Sequence, residues 1–331
     1  MKPYSQPSPR QVSDTASPLR LPPAIVVVGS LNMDLVLRVP HAPAAGETLL
    51  GRSIASLPGG KGANQAVGCA RQGARVHMVG CVGADAHGQA LRRALELDGI
   101  DTAALQTADT APTGTALVMV EDDGQNRIVV VPGANDFVRI DAAALARHLD
   151  GAAFLVAQFE TPLDQVALAI GVAHRAGCKV LLNPSPVQAI DDALWSQIDT
   201  LVINEVEAGA LSGRPADDLP QVAAAARALR ARGVARVVVT LGARGAVAVD
   251  AAGARHHPAP VVDAVDTTAA GDTFLGALAA ALGEGRALDD AVRLGIRAAA
   301  ICITRPGAQP SIPMRDAVLR SPLPPAWTLL P

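Results

Sequence analysis

Short, unbroken apolar runs punctuate the chain from Ala24 onward: residues 25–28, ending at Gly29, then 76–82, 153–159, 179–182, 200–203 and 234–241. Runs of that length without polar alternation suit strands covered on both faces. Most are separated by stretches of helical character. One stretch, 163–176, follows Thr161-Pro162, a pair suited to an N-cap and first turn, and another, 221–232, is rich in Ala, Leu and Arg. Strand and helix in alternation predict an α/β fold, a three-layer α/β/α sandwich around a mostly parallel central sheet. Ligands then gather beyond the carboxyl ends of the strands, where the loops carry the chemistry.

Two regions depart from this rhythm, 48–57 and 113–131. In the second, 115–120 and 127–131 flank Glu121-Asp122-Asp123-Gly124, which reads as a hairpin with a polar Asp-Gly turn. Together they predict a small sheet standing off the main one, able to cover a ligand or pair with another subunit; plain surface strands fit equally well. Residues 1–23 mix prolines, serines and isolated charges without an apolar run, the composition of a disordered tail rather than a signal peptide. The folded domain is expected over 24–320, with a C-terminal tail over 321–331.

Composition narrows the function. Half of the 331 residues are hydrophobic and only 2% aromatic, so Ala, Val, Leu and Ile must build the core, and base stacking is a poor candidate for the main mode of action. A formal net charge of -3 gives no electrostatic reason to bind nucleic acid or an anionic membrane, and no stretch is long and apolar enough to span a bilayer. Cys69, Cys81, Cys178 and Cys302 form no CxxC pair and read as reduced, buried thiols of a cytoplasmic protein. The seven histidines form no HxxH or HExxH arrangement, and no GxSxG elbow is present. Metallohydrolase and serine hydrolase chemistry are thus poorly supported.

Residues 266–274 read Asp-Thr-Thr-Ala-Ala-Gly-Asp-Thr-Phe ahead of an apolar helix over 275–282. Small residues at Ala269, Ala270 and Gly271 leave amide N–H groups accessible at a helix N-terminus, where the partial positive charge stabilises phosphate oxygens. Asp272 falls in the first turn, placed to take a hydroxyl proton beside an entering phosphoryl group, though it also fits a simple capping carboxylate. Asn204-Glu205-Val206-Glu207 follows a strand directly, and Glu207 there is suited to placing Mg2+ through water, or to a solvated first turn. Residues 58–66, Pro-Gly-Gly-Lys-Gly-Ala-Asn-Gln-Ala, bring backbone close to a ligand at a helix start, or merely join strand to helix; the GxxxxGK[ST] spacing is absent. The glycine-bearing turn at 240–245 suits a nucleotide. Asn32 and Asp34 share one face by alternation, in reach of sugar hydroxyls.

Taken together, Gly59-Gly60-Lys61-Gly62-Ala63-Asn64, Asn204-Glu205-Val206-Glu207 and the segment from Asp266 to Asp272 resemble the ribokinase-like (PfkB) carbohydrate kinase family, across nearly everything after Ala24. Asn32-Met33-Asp34 and the segment from Thr304 to Ser311 fit the same pattern. The resemblance implies a Rossmann-like α/β/α sandwich with a small β-sheet lid that doubles as a homodimer contact. It further implies ATP-dependent phosphorylation of D-ribose at the 5-hydroxyl. Asn32, Asp34, Gly60, Lys61, Asn64 and Glu160 would hold the sugar, with Asp272 as general base. Ala269, Ala270, Gly271 and Asp272 would surround the transferring phosphate, while Asn204, Thr240, Gly242 and Gly245 approach ATP and Glu207 helps to place Mg2+. A potassium ion would lie against Asp266, Thr268, Cys302, Arg305, Gly307 and Ser311, several of them through backbone carbonyls.

Two departures stand out. Ile296 occupies a position near the adenine where a polar residue is frequent, and Ser185 stands where Ala is. The alternatives are a kinase of the same family acting on deoxyribose, a hexose or a nucleoside, and a non-catalytic sugar-binding protein. Scarce aromatic residues make a stacked base harder to hold, and sugar binding alone does not explain an anion hole ahead of Asp272.

Overall fold

The computed structural model describes residues 21–123 and 125–330, so the tail expected over 1–23 falls almost wholly outside the described residues. In chain order the strands are β1 (Ala24–Val28), β2 (Asn32–Val39), β3 (Ser53–Gly59), β4 (Arg75–Gly83), β5 (Leu105–Ala108), β6 (Gly114–Glu121), β7 (Asn126–Val131), β8 (Phe154–Gln158), β9 (Lys179–Asn183), β10 (Thr200–Asn204), β11 (Arg236–Thr240), β12 (Ala246–Asp250), β13 (Gly253–His257) and β14 (Thr328–Leu330). The helices are α1 (Lys61–Arg71), α2 (Ala86–Leu97), α3 (Ala142–Leu149), α4 (Leu163–Arg175), α5 (Glu205–Ser212), α6 (Leu219–Arg230), α7 (Ala270–Gly283), α8 (Leu288–Cys302) and α9 (Arg315–Arg320).

Ten strands form the main sheet in the order β14-β13-β12-β11-β10-β9-β8-β1-β4-β5. It is parallel from β5 through to β11, and antiparallel across β12, β13 and β14. β1 shows why its run is unbroken: Ile25 and Val27 pack into a core shared with α1, α7 and α8, while Val26 and Val28 pack into a second core under α4 and α6. Every residue of β1 is buried, as a strand covered on both faces requires. The parallel register brings Gln158 level with Asn183 and Asn204 level with Thr240, so four polar residues close neighbouring strands along one edge of the sheet.

The small sheet has the order β3-β2-β6-β7. It contains the expected hairpin β6–β7, but also β2, which pairs with β3 on one side and β6 on the other and was not anticipated as part of the lid. Alternation along β2 still sets Asn32 and Asp34 on a common face. β3 begins at Ser53, so residues 48–52 of the expected lid segment are not strand.

Other boundaries differ for identifiable reasons. Pro162, with extended ψ of 127°, takes the boundary position of α4 itself, and no side chain caps that helix; Thr161 is therefore not its N-cap. α6 starts at Leu219 because Asp218 accepts from the Gln221 amide at 2.8 Å, two residues earlier than the Ala-Leu-Arg pattern indicated. α7 begins at Ala270, which puts Asp272 in its first turn as expected and extends the apolar stretch 275–282 back to the small residues. Within the expected C-terminal tail, Thr328–Leu330 pair with β13 as the sheet's outer strand, with Leu330 packed against the second core. All four cysteines are free and buried. Among the described residues no helix is long and apolar enough to cross a membrane.

Candidate active site

α7 is apolar all round, with every residue from Asp272 to Leu282 buried, which fits a central helix sandwiched between α1 and α8. Gly68 of α1 and Gly276 of α7 meet face to face: a Cβ on Gly276 would lie 2.6 Å from the Gly68 carbonyl carbon. Only two small residues permit such an approach. The contact sets the start of α1 against the start of α7 and so brings two amide side chains onto one carboxylate. Asn64 Nδ2 donates to Asp272 Oδ2 at 3.0 Å and Gln65 Nε2 donates to Asp272 Oδ1 at 2.9 Å.

Gln65 is in turn held from the sheet. Its Nε2 also donates to Asn183 Oδ1 at 3.1 Å, and its Oε1 accepts from Gln158 Nε2 at 2.6 Å. Asn183 Nδ2 donates to the Val202 carbonyl at 2.9 Å, which fixes which end of that amide faces Gln65. Asp272 accepts no capping bond within its own helix, so it is not a capping residue. The cap is Ala269, with φ of 58°, the only residue other than glycine at positive φ among those described. Strain of this kind, about 1–3 kcal/mol, persists where surrounding structure demands it.

Next to Asp272 the Ala270 amide turns back to the Thr267 carbonyl at 3.2 Å and is engaged, contrary to the expected trio of accessible amides. Gly271 and Asp272 supply the first-turn amides that a helix start leaves without intrahelical partners. A Cβ on Gly271 would meet nothing within 4 Å, so the backbone there borders open space. That space is a cavity of about 240 Å³ lined by Lys61, Asn183, Asn204, Glu207, Thr240, Gly271 and Asp272.

Lys61 opens α1 after Gly60, whose φ of 88° and contact with the Asn32 amide exclude a side chain. Burial pulls the Lys61 ammonium down, but Asp272, Glu160 and Glu207 outweigh it and hold it above its ordinary value, so it stays charged. Lys61 also lines a second cavity of about 610 Å³ with Asn32 and Glu160. Glu160 Oε2 accepts from Ser30 Oγ at 2.6 Å and from the Lys61 amide at 3.1 Å. Asn32 Oδ1 accepts from Asn135 Nδ2 at 2.8 Å, and Asn135 spans to the Leu31 backbone as well.

Asp34, on β2 of the small sheet, lines a cavity of about 630 Å³ that reaches loop 264–268. Burial, then the charges of Glu160 and Asp272, raise its carboxyl to about 7.

Glu207 is buried rather than solvated. Asn204 and Glu207 form a reciprocal capping box, at 2.8 and 3.0 Å, so one Glu207 oxygen is committed to the Asn204 amide. Among the described residues no cluster of three or more His, Cys, Asp or Glu side chains could hold a metal. A Mg2+ ion here would therefore rely on phosphate and water oxygens for most of its ligands, as this ion commonly does.

Loops 264–268 and 302–311 are stitched together by the Val265 and Asp266 amides on the Ile303 carbonyl, at 2.7 and 3.2 Å, and by the Gly307 amide on Asp266 Oδ2 at 2.8 Å. Burial pushes the Asp266 carboxyl up, but bonds from the Thr268 hydroxyl and amide and the Gly307 amide prevail and lower it. Cys302 Sγ sits 3.0 Å from Ser311 Oγ, and burial raises its thiol. Asp266, Thr268, Cys302, Gly307 and Ser311 thus lie in one knot behind the α7 start, while the Arg305 side chain is exposed at its rim.

Thr240, Gly242 and Gly245 border a separate slot of about 380 Å³ that runs from Gly271 to Ile296. The Gly242–Arg244 turn closes through the Gly245 amide on the Gly242 carbonyl at 3.0 Å. Sequence reasoning assigned no role to Gln65, Asn183, Gln158, Asn135 or Ser30. Gln65 sits inside the glycine-lysine segment, and Gln158 is the one polar residue closing an otherwise apolar run; those were the available signals.

Residues 23–315 match the pattern described as pfkB family carbohydrate kinase. A ribokinase of Haemophilus influenzae is 41% identical over 300 residues, 89% of this chain and 97% of the relative. The structure of Arabidopsis thaliana ribokinase complexed with ribose and ATP superposes with a TM-score of 0.84 at 33% identity, covering 91% of this chain and 98% of that one. A ribokinase structure from Thermotoga maritima gives 0.81 at 38% identity, covering 90% and 98%.

Proposed function

The chain belongs to the pfkB family of carbohydrate kinases, and from that premise we propose that it transfers the γ-phosphoryl group of ATP to the 5-hydroxyl of D-ribose. The observation that carries the reading is the Asp272 carboxylate, clamped by Asn64 and Gln65 in the first turn of α7 and lining one cavity with Lys61 and Gly271.

The sugar sits between the small sheet and the strand ends, with Asn32, Asp34, Gly60, Lys61, Asn64 and Glu160 around its hydroxyls. Asn64 Oδ1 is buried without a partner among the described residues, an acceptor fit for a sugar hydroxyl. Asp272 takes the proton of the 5-hydroxyl as that oxygen attacks phosphorus. The first-turn amides of Gly271 and Asp272 meet the charge on the equatorial oxygens, and Lys61 adds a cation at the same boundary. Because little covalent work falls to the protein in such a transfer, positioning and charge carry most of the acceleration. Asn204, Thr240, Gly242 and Gly245 line the path of the nucleotide. Glu207 would help to place Mg2+ through water, and the ion would supply charge neutralisation at the phosphates. Asp266, Thr268, Cys302, Gly307 and Ser311 would hold a potassium ion, which would supply positive charge behind the loop that carries the anion hole.

The cytosol, where ATP is abundant and thiols stay reduced, suits this activity and four free cysteines. The test is incubation of the purified chain with MgATP and each of ribose, deoxyribose, fructose and adenosine, with and without potassium, and identification of products by phosphorus NMR. Ribose 5-phosphate should form fastest, and faster with potassium. A chain that consumes ATP with none of these acceptors contradicts the reading.

A further inference from the structure

The slot beside Gly271 holds two polar side chains, Thr240 and Thr267, and both also line the cavity of Asp272, so they stand at its phosphate end. Thr240 Oγ1 already donates to the Ile203 carbonyl at 3.3 Å. Farther in, the walls are Ala259, Pro260, Val262, Ile296, Ala299 and Ala300. A purine lying there would bury its ring faces against apolar side chains. Its edge would meet no side chain able to donate or accept, and among the described residues no hydrogen bond fixes the main chain of 260–264 as a partner instead.

Adenine presents an amino donor beside a ring-nitrogen acceptor, whereas guanine and hypoxanthine present a carbonyl acceptor beside an N–H donor. Strong rejection of one pattern requires a fixed polar partner that the wrong base leaves unpaired, and apolar walls contribute much the same to any purine. Resting on the kinase reading above, we infer that the phosphoryl donor is selected by its triphosphate rather than its base, and that GTP and ITP replace ATP. The transfer itself is unchanged: the bond from the γ-phosphorus to the bridging oxygen breaks, the bond to the sugar oxygen forms, the proton passes to Asp272, and a nucleoside diphosphate leaves.

The test is kcat/KM for ATP, GTP and ITP with saturating ribose. The three values should agree within about tenfold, the range expected where no edge contact discriminates. GTP and ITP falling more than about a hundredfold below an active ATP would overturn the inference and leave the kinase reading intact. A chain inert with all three overturns the reading and the inference with it. Ala300→Trp, at a half-exposed wall position, should raise KM for all three nucleotides while ribose affinity measured by calorimetry holds. An unchanged nucleotide KM in that variant would show that the base lies elsewhere, and the inference fails.

Discussion

At Asp272 both carboxylate oxygens are held by side-chain amides before any substrate arrives, and the Gln65 clamp is anchored on two strand ends. Gln65→Leu strips one donor from the carboxylate and leaves the buried Gln158 amide, and the Asn183 side-chain oxygen, without their partner. It should cost about 1–3 kcal/mol of stability in chemical denaturation. Through loss of alignment, kcat should drop by about 10- to 100-fold while ribose affinity stays close to that of the wild type. Asp34 provides a pH signature. Its folded carboxyl, at about 7, stands above the ordinary 3.8, so between those values the folded state binds more protons than the unfolded chain. Stability therefore falls as pH rises through that window and levels off above it. Asp34→Asn should melt higher than the wild type at about pH 8, with the gap closing towards about pH 5. The same variant should lose sugar affinity, and wild-type affinity should improve as pH rises through about 7, where the carboxylate becomes a full acceptor. Asp272, Lys61 and Asn64 were legible in the sequence because each lies in a local glycine-rich or small-residue segment. Asn135 was not, and Gln158 showed only as the polar residue closing an apolar run, since each acts on a residue about a hundred positions away.

The α1–α7 contact turns sequence into site at the level of elements. Gly276→Ala would push a methyl group to within 2.6 Å of the α1 backbone, so the two helices must separate and the Asn64 and Gln65 bonds to Asp272 must lengthen. Such overpacking should cost about 1–3 kcal/mol in thermal or urea unfolding, with kcat reduced far more than nucleotide affinity. Buried runs such as β1, β8 and β10 were readable because strands covered on both faces tolerate few polar residues. β2 was not read as part of the lid because its Asn-Met-Asp start looked like a site, although Pro40, Pro43 and Gly46 mark off its end. The start of α7 was legible from its small residues although Ala269, Ala270 and Gly271 carry no capping side chain.

Across the whole molecule, β7 leaves Ile128, Val129, Val130 and Val131 exposed at 60%, 58%, 47% and 56% on the edge of the small sheet. An apolar edge strand is a liability unless something covers it, and a second copy of the same sheet is the occupant proposed here. Sedimentation should give a dimer for the wild type and a monomer for Ile128→Lys combined with Val130→Glu; a monomeric wild type at working concentration contradicts the homodimer. The fold class was legible from alternation alone and a small separate sheet from the two irregular regions, whereas the pairing of β2 with β3 and β6 was not, because no local spacing encodes it. Strand ends, α1 and α7 together point everything at one carboxylate, and Asp272→Asn tests that convergence most directly. Ribose affinity by calorimetry should be nearly unchanged while single-turnover phosphorylation slows by about 10²–10⁴-fold, as loss of a positioned base requires. A variant that still turns over at the wild-type rate would contradict the account.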